Sequence, residues 1–599
     1  MFSVFRSRIL LSAAFIVSLA GPTLAQAQAL TVGSRNVATA DPLVPRPPTT
    51  PCTVTLFTGQ QFADFNNKPF DYTPAAGCAG PWEKVVLAVD FSITGTRQYD
   101  RTARIWLGNS VIYFGTTQEP SIPGGGTTSW HVERDLTDYS ALLAQAQSGY
   151  AELGNFVGTY NGVVYDGIIT GTATLYFYSG GDGNDGKRPD QVLSLNQNGG
   201  IASLAQPSDQ LSAAFSALPK NIERAYLDVF TQSQSADEFW FFDLPDDIAP
   251  LFQDTGSTAF KEALVTIDGQ PAGISPIYPW IYTGGADPIL WRPIPGVQTL
   301  SLEPYRLDLT PFVGVLGDGS AHTVAISVYN AANYFATAAN LLLYLDAGAS
   351  TVSGSVTTNT LSATPVVNVV ENVTSAPDGS ASGSVSVTSN RSYTITGTAN
   401  TSHGAVTTQI DSKIAFSSVQ QLATSNTVYQ QDTVQRTDID TLTTRTEGHG
   451  NGHGNAHSTT LHEQRSYPLT FDYDYITAAD GSATLHSFAD QEFQQRVDAG
   501  VSGKAIKTAT RDNHVVTTVT RNYDASGALV TTPATASQTY TYADPFGACY
   551  SRKVEAQDRL LTAVTDGTGC PGGHNHLSWH DQFAKFVSDA WGATVKLLP

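Results

Sequence analysis

The chain has 599 residues, with 53 acidic against 32 basic side chains and a formal charge of −21. That field disfavours a nucleic-acid backbone or an anionic membrane as the main partner. With 14% charged and 10% aromatic residues it is too apolar for a disordered chain, and at roughly 150 residues per domain it holds three to five domains.

In chain order, Arg6 and Arg8 precede an apolar run from Ile9 to Ala20 and a small-residue site, Ala25-Gln26-Ala27. This predicts a signal peptide over 1–27 and a secreted or periplasmic protein; the run is too short for a membrane anchor. Residues 28–51 read as a Pro-rich, extended leader. Four cysteines admit three pairings. Cys52–Cys78 and Cys549–Cys570 are favoured, because each closes a local loop, and a zinc site would lack any C-x-x-C pair.

Alternating apolar segments then predict strands at Val85–Phe91, Arg104–Leu107 and Thr172–Tyr178, with a helix over Asp138–Gln147. A Gly/Asp-rich stretch over 179–186 reads as a linker. A second β block over 189–346 includes Arg224–Phe230, Thr323–Val328 and Leu341–Leu345. Beyond Ala347 the composition turns to Ser, Thr, Val and Gly. Residues 350–599 therefore read as one or two sandwich-like modules ending in a short helix near Trp579–Trp591. The class is all-β, with many Gly- and Pro-bearing turns.

Several chemistries are missing. There is no P-loop and no G-x-S-x-G elbow, and His462-Glu463 lacks the second His of a zinc-protease helix. His449, His453 and His457 are spaced by four, but the intervening glycines favour a solvated loop over a metal site. No cofactor and no metal are expected.

Three stretches concentrate carboxylates, Arg and Trp: Gln98–Trp106, Ser235–Trp240 and Gly284–Pro293. Acids beside aromatic faces suit a sugar-processing site, since rings cover apolar sugar faces and acids handle protons. Structural ion pairs are the alternative. With Cys52–Phe57, Thr117–Pro120, Tyr282–Gly285, Leu309–Phe312 and Arg391–Gly397 in the same order, the chain resembles the secreted peptide N-glycosidases, and within them the acidic A type.

The resemblance implies two adjacent antiparallel jelly-roll β-sandwich domains (52–179 and 189–346) followed by a C-terminal β-rich accessory domain (350–599). It implies hydrolysis of the Asn–GlcNAc amide of N-glycosylated peptides and glycoproteins, without a metal, at the junction of the two front domains. Asp100 in Tyr99-Asp100-Arg101 and Glu238 match the catalytic acids, and Arg292 matches a site Arg. F-type relatives carry a further Glu after the first domain's helix. The stretch Glu152–Gly158 has no acid at that place, so either Asn155 or Glu119 takes its role or the role is dispensed with. Arg101 and Arg292 are expected to hold the carboxylates and keep Asp100 ionised in acid, and Trp130, Trp240 and Trp291 are stacking candidates. The rival reading is a non-catalytic glycan-binding double sandwich. If the junction of the two front domains holds the whole site, residues 28–346 alone are expected to cleave small glycopeptides; a rate maximum in the acidic range is expected.

Overall fold

The computed structural model describes residues 30–120, 125–179, 187–448, 457–591 and 597–598. The expected signal, all but the first residue of the linker, and His449 and His453 lie outside them; His457 opens a strand. Both expected disulfides, Cys52–Cys78 and Cys549–Cys570, are formed.

The first sandwich pairs two four-stranded sheets. One runs Cys52–Phe62, Ile168–Tyr178, Lys84–Gly95, Gly126–Asp135; the other runs Lys68–Tyr72, Gln147–Glu152, Thr102–Leu107, Ser110–Thr116. Every pairing is antiparallel. Their facing residues form one core around Val85, Leu87 and Val89, with Phe91, Ile105, Tyr113 and Leu175. The expected helix over Asp138–Gln147 shrinks to a 3-10 turn and one α turn, Ser140–Leu143, because Gln147 already belongs to a strand.

The second sandwich has a five-stranded sheet centred on Phe335–Leu345 and Ile222–Ser233, and a four-stranded sheet of Leu211–Phe215, His322–Tyr329, Glu262–Ile267 and Gln270–Pro276. All twelve residues of Ile222–Ser233 are buried, as expected for a strand covered on both faces. The covering is the first sandwich. Phe114 packs on Phe230 with ring centroids 5.6 Å apart, and the Tyr139 hydroxyl donates to Asp228 at 3.0 Å.

The C-terminal region departs from expectation. Instead of sandwich-like modules it forms a single twelve-stranded antiparallel sheet between Ser353 and Asp566, with strands of up to 21 residues, followed by the helix Gln582–Trp591. One face packs on the second sandwich, and the two share a continuous core that includes Phe242, Phe260, Phe416 and Phe471. The Pro-rich leader is extended but not free: the Ala40 N–H donates to Gln538 at 2.7 Å and the Val44 N–H to Glu133 at 2.9 Å, so it straps the first sandwich to the long sheet. No helix among the described residues is long and apolar enough to cross a membrane.

Candidate functional site

A β-hairpin register builds the first half of the site. Thr102 pairs with Thr116, and the ladder continues one step outward: the Arg101 N–H donates to Thr117 Oγ1, and the Thr117 N–H to the Arg101 carbonyl, both at 2.8 Å. Asp100 and Glu119 therefore emerge side by side. The Asp100 N–H donates to Glu119 Oε1 at 3.3 Å.

The second half comes from irregular loops of the other sandwich. Thr283 donates to the Thr117 carbonyl at 2.7 Å, and Gln118 Nε2 to the Trp291 carbonyl at 3.0 Å. These bonds seat the 283–292 loop on the hairpin. From it the Gly284 N–H donates to Asp100 Oδ2 at 3.3 Å, and Arg292 pairs with Glu119. A Cβ on Gly284 would lie 2.6 Å from Glu119 Oε1 and 2.7 Å from Asp100 Oδ1. Glycine is needed there because the backbone itself closes on both carboxylates.

Glu238 follows the buried strand Ile222–Ser233 on a 3-10 turn, Ser235–Asp237. The turn is anchored by Asp237, whose carboxylate accepts N–H bonds from Ala332, Asn333 and Tyr334 and lies 3.5 Å from the buried Lys261 ammonium. Among the described residues, no hydrogen bond or ion pair engages the Glu238 carboxylate.

The electrostatics separate the three acids. Burial, and then the nearby Asp100 charge, push Glu238 up to about 8. Burial also raises Glu119, against the opposing pull of Arg292, to about 7. Asp100 is raised as well: burial outweighs the Gly284 N–H and the Arg101 and Arg292 charges. The expectation that the two arginines hold Asp100 below the usual carboxylate range is therefore overturned. Arg292 serves Glu119, while Arg101 reaches Gln98 at 3.0 Å and Asn155 at 3.4 Å.

Asn155 is fully buried. Its amide donates to the carbonyls of Phe62 and Gly167, both at 3.0 Å, so it steadies Arg101 and does not face the cleft. All three tryptophans are corrected. Trp130 stacks on Phe91 inside the first sandwich, Trp291 donates its indole N–H to the Gly285 carbonyl at 2.9 Å, and Trp240 is core. Each is at most 2% exposed, so none offers a face to a sugar.

Reading the sequence missed Gly284, Asp237 and a contribution from the C-terminal sheet. Asp287, one turn from Gly284, is buried and paired with Arg521 of that sheet. Thr517 donates to the Leu290 carbonyl at 2.8 Å, and Gln491 accepts the Val297 N–H at 2.8 Å while donating to the Pro279 carbonyl at 2.7 Å. The Gly284-Gly285 doublet was the one local signal.

Other clusters are accounted for. A cavity of about 160 Å³ between the sandwiches and the sheet contains Arg306, Arg465 and Arg511, and each is paired with an acid. Glu223, Asp346 and His403 lie close enough to share a metal ion. However, Glu223 is paired with Lys187 and Asp346 accepts from Ser402 and Gly348.

A solvent-reachable carboxyl that keeps its proton, a second carboxyl flanked by arginines, and a backbone donor are the parts of an acid–base hydrolase. The family model described as peptide N-acetyl-beta-D-glucosaminyl asparaginase amidase A matches residues 42–362, just over half of the chain, and the chain belongs to that family. It is 26% identical over 551 residues to the peptide-N4-(N-acetyl-beta-glucosaminyl)asparagine amidase A of Prunus dulcis, covering 88% of this chain and 91% of that protein. Among solved structures it is similar to recombinant N-glycanase F (14% identity, TM-score 0.32, 50% of this chain and 96% of that one). A second is PNGase F, a glycosylasparaginase from Flavobacterium meningosepticum (13% identity, TM-score 0.32, with the same coverage).

Proposed function

We propose that this chain is a secreted or periplasmic peptide N-glycosidase acting on N-linked glycopeptides and glycoproteins. Water adds to the Asn side-chain carbonyl carbon, the bond from that carbon to the glycosylated nitrogen breaks, and Asp is left in the peptide. The intact glycan departs as a glycosylamine, which loses ammonia in water to give the reducing sugar.

The observation that carries this reading is the split between Asp100 and Glu238. Asp100 has two arginines and the Gly284 N–H opposing its burial. Glu238 has no opposing partner. Asp100 therefore ionises first and takes the proton from the attacking water. Glu238 keeps its own to polarise the amide and protonate the leaving nitrogen, which a poor electrophile such as an amide requires. Arg292 holds Glu119 through an ion pair, and its Nε is buried without a hydrogen-bond partner. The two disulfides fit an oxidising compartment, as does the export signal expected at 1–27.

Mass spectrometry of a glycopeptide after incubation tests the reading: the expected product is the sugar-free peptide with Asp at the former Asn. Asp100→Asn and Glu238→Gln are each expected to lower kcat/KM by about 10²–10⁴ in a folded chain. A glycopeptide that is retained but returned intact would favour the glycan-binding rival.

A further inference from the structure

Asp100 and Glu238 stand on different sandwiches, and among the described residues no hydrogen bond or ion pair joins them. Something else must fix the gap between them, and the segment 282–284 crosses it. Tyr282 is buried. Its hydroxyl donates to the carbonyl of Ser233, the last residue of the strand that leads to Glu238. Its own carbonyl accepts the Gly285 N–H at 2.9 Å. That bond closes a turn whose third residue is Gly284, the backbone donor to Asp100 Oδ2. Between the two, Thr283 holds the first sandwich through the Thr117 carbonyl. One tyrosine thus grips the Glu238 side with its side chain and the Asp100 side with its backbone.

The grip on the Glu238 side falls where the chain needs holding. Ser233 is still paired with Phe335 across the sheet, but two residues later Ser235 adopts φ 57°. A residue with a Cβ stays in that left-handed region only where its surroundings impose it. Ser233 Oγ reaches forward to the Glu238 carbonyl at 3.4 Å, so a displacement of Ser233 is passed on to Glu238. The phenol is a constant donor, because burial and then the Glu238 and Asp100 charges push its pKa well above the usual value. Both acids act on this one hydroxyl, which places it close to each. With two rotatable bonds, the ring leaves little play in the link.

We propose that Tyr282 is a positioning residue, a strut that sets the separation of Asp100 and Glu238 without touching substrate. The proposal rests on the amidase reading above, which gives those two acids the chemistry.

Tyr282→Phe keeps the ring and the turn and removes only the hydroxyl. Tyr72→Phe is the matched control: Tyr72 is buried in the first sandwich, outside the site, and donates to the Leu143 carbonyl at 2.6 Å. Both variants are expected to lose a similar few degrees of melting temperature. On a glycopeptide only Tyr282→Phe is expected to lower kcat, by about tenfold with KM within about twofold of the parent. A shift well short of the ~1 Å that costs on the order of 100-fold is enough for that. Thermal melts give a second reading that needs no turnover. Burial and the Asp100 charge keep the proton on Glu238, and both weaken if the gap opens. The stability that the parent loses between about pH 4.5 and about pH 8 is therefore expected to be smaller in Tyr282→Phe and unchanged in Tyr72→Phe. Parental kcat with a parental melt profile in Tyr282→Phe would overturn the proposal. An equal fall of kcat in Tyr72→Phe would overturn it too, and so would a KM rise at constant kcat, which would put the hydroxyl on the substrate. A parent chain that binds the glycopeptide without cleaving it, while Tyr282→Phe alters the melt profile as expected, would instead overturn the amidase reading and leave the strut standing.

Discussion

The two front sandwiches bury their facing sheets with Val, Leu, Phe and Trp, whereas the long C-terminal sheet buries a face on which Gln420, Gln431, Gln491, Gln538, Arg511 and Thr517 alternate with apolar residues. The difference follows from what each face meets. A sheet packed on a sheet meets side chains, and apolar ones suffice. The long sheet meets irregular loops whose backbone groups have no ladder partners, and buried polar groups must be paired. Gln431 donates to the Phe242 carbonyl at 2.9 Å and Gln420 to the Asp243 carbonyl at 3.1 Å, a few residues beyond Glu238. Gln491, Thr517 and Arg521 do the same for the loop that carries Gly284 and Arg292. The front half carries the candidate acids Asp100, Glu119 and Glu238, and the back half fixes the loops that present them.

This division reverses an expectation. Residues 28–346 were expected to cleave alone, but without the long sheet both loops lose their partners and the shared core is opened to water. Truncation at 346 is therefore expected to abolish activity and cooperative unfolding, read by turnover and by calorimetry. A soluble, cooperatively folding 28–346 fragment with near-parental turnover would break the comparison.

Gly284→Ala probes the front half without touching the sheet. Its added methyl would displace Asp100 and Glu119 together. A misplacement of about 1 Å at reacting groups costs on the order of 100-fold in rate, so kcat is expected to fall by about that factor with the melting temperature nearly unchanged.

Arg521→Ala probes the back half. It leaves the buried Asp287 carboxylate unpaired, which is expected to cost about 2–3 kcal/mol and roughly tenfold in kcat. Adding Asp287→Asn should restore much of the stability, because removing both partners is milder than removing one. If the double variant recovers stability but not rate, the pair acts on the loop's position and not only on its burial.

How much of this was legible follows from the same contrast. Alternation in Val85–Phe91, Thr172–Tyr178 and Arg224–Phe230 revealed the sandwich strands, because one periodicity served both pairing and burial. The stretches holding Asp100 and Glu238 stood out as acids in weakly charged β blocks, but it was the resemblance that singled out these two residues. Trp130, Trp240 and Trp291 misled, since nothing local in their sequence tells a ring packed in a core from one that faces a cleft. The long sheet was read as one or two sandwich-like modules, because its Ser, Thr, Val and Gly composition announces strands without saying how they pair. Nothing local in Gln491 or Arg521 announces partners 212 and 234 residues away.

The smallest effect concerns pH, where the site and the stability of the fold pull in opposite directions. The acidic rate maximum expected from the sequence assumed a Glu of ordinary pKa; burial instead pushes Glu238 to about 8 and Glu119 to about 7. Glu238 then keeps its proton through neutrality. The upper limb of the kcat/KM profile is expected at about pH 7–8, while the lower limb follows Asp100, itself raised. For stability the sign is fixed by linkage. The native state holds a proton on Glu238 that the unfolded chain, at about 4.5, gives up. The resulting stabilisation is complete below about pH 4.5 and is lost as pH rises through about 8. Glu238→Gln cannot lose a proton. It is therefore expected to match the parent's stability at about pH 4 and exceed it by about 1–3 kcal/mol at about pH 8, although it is inactive. Thermal melts of both proteins from about pH 4 to about pH 8 check this. Parallel curves across the range would mean that Glu238 ionises normally, and the division of labour between it and Asp100 would fall.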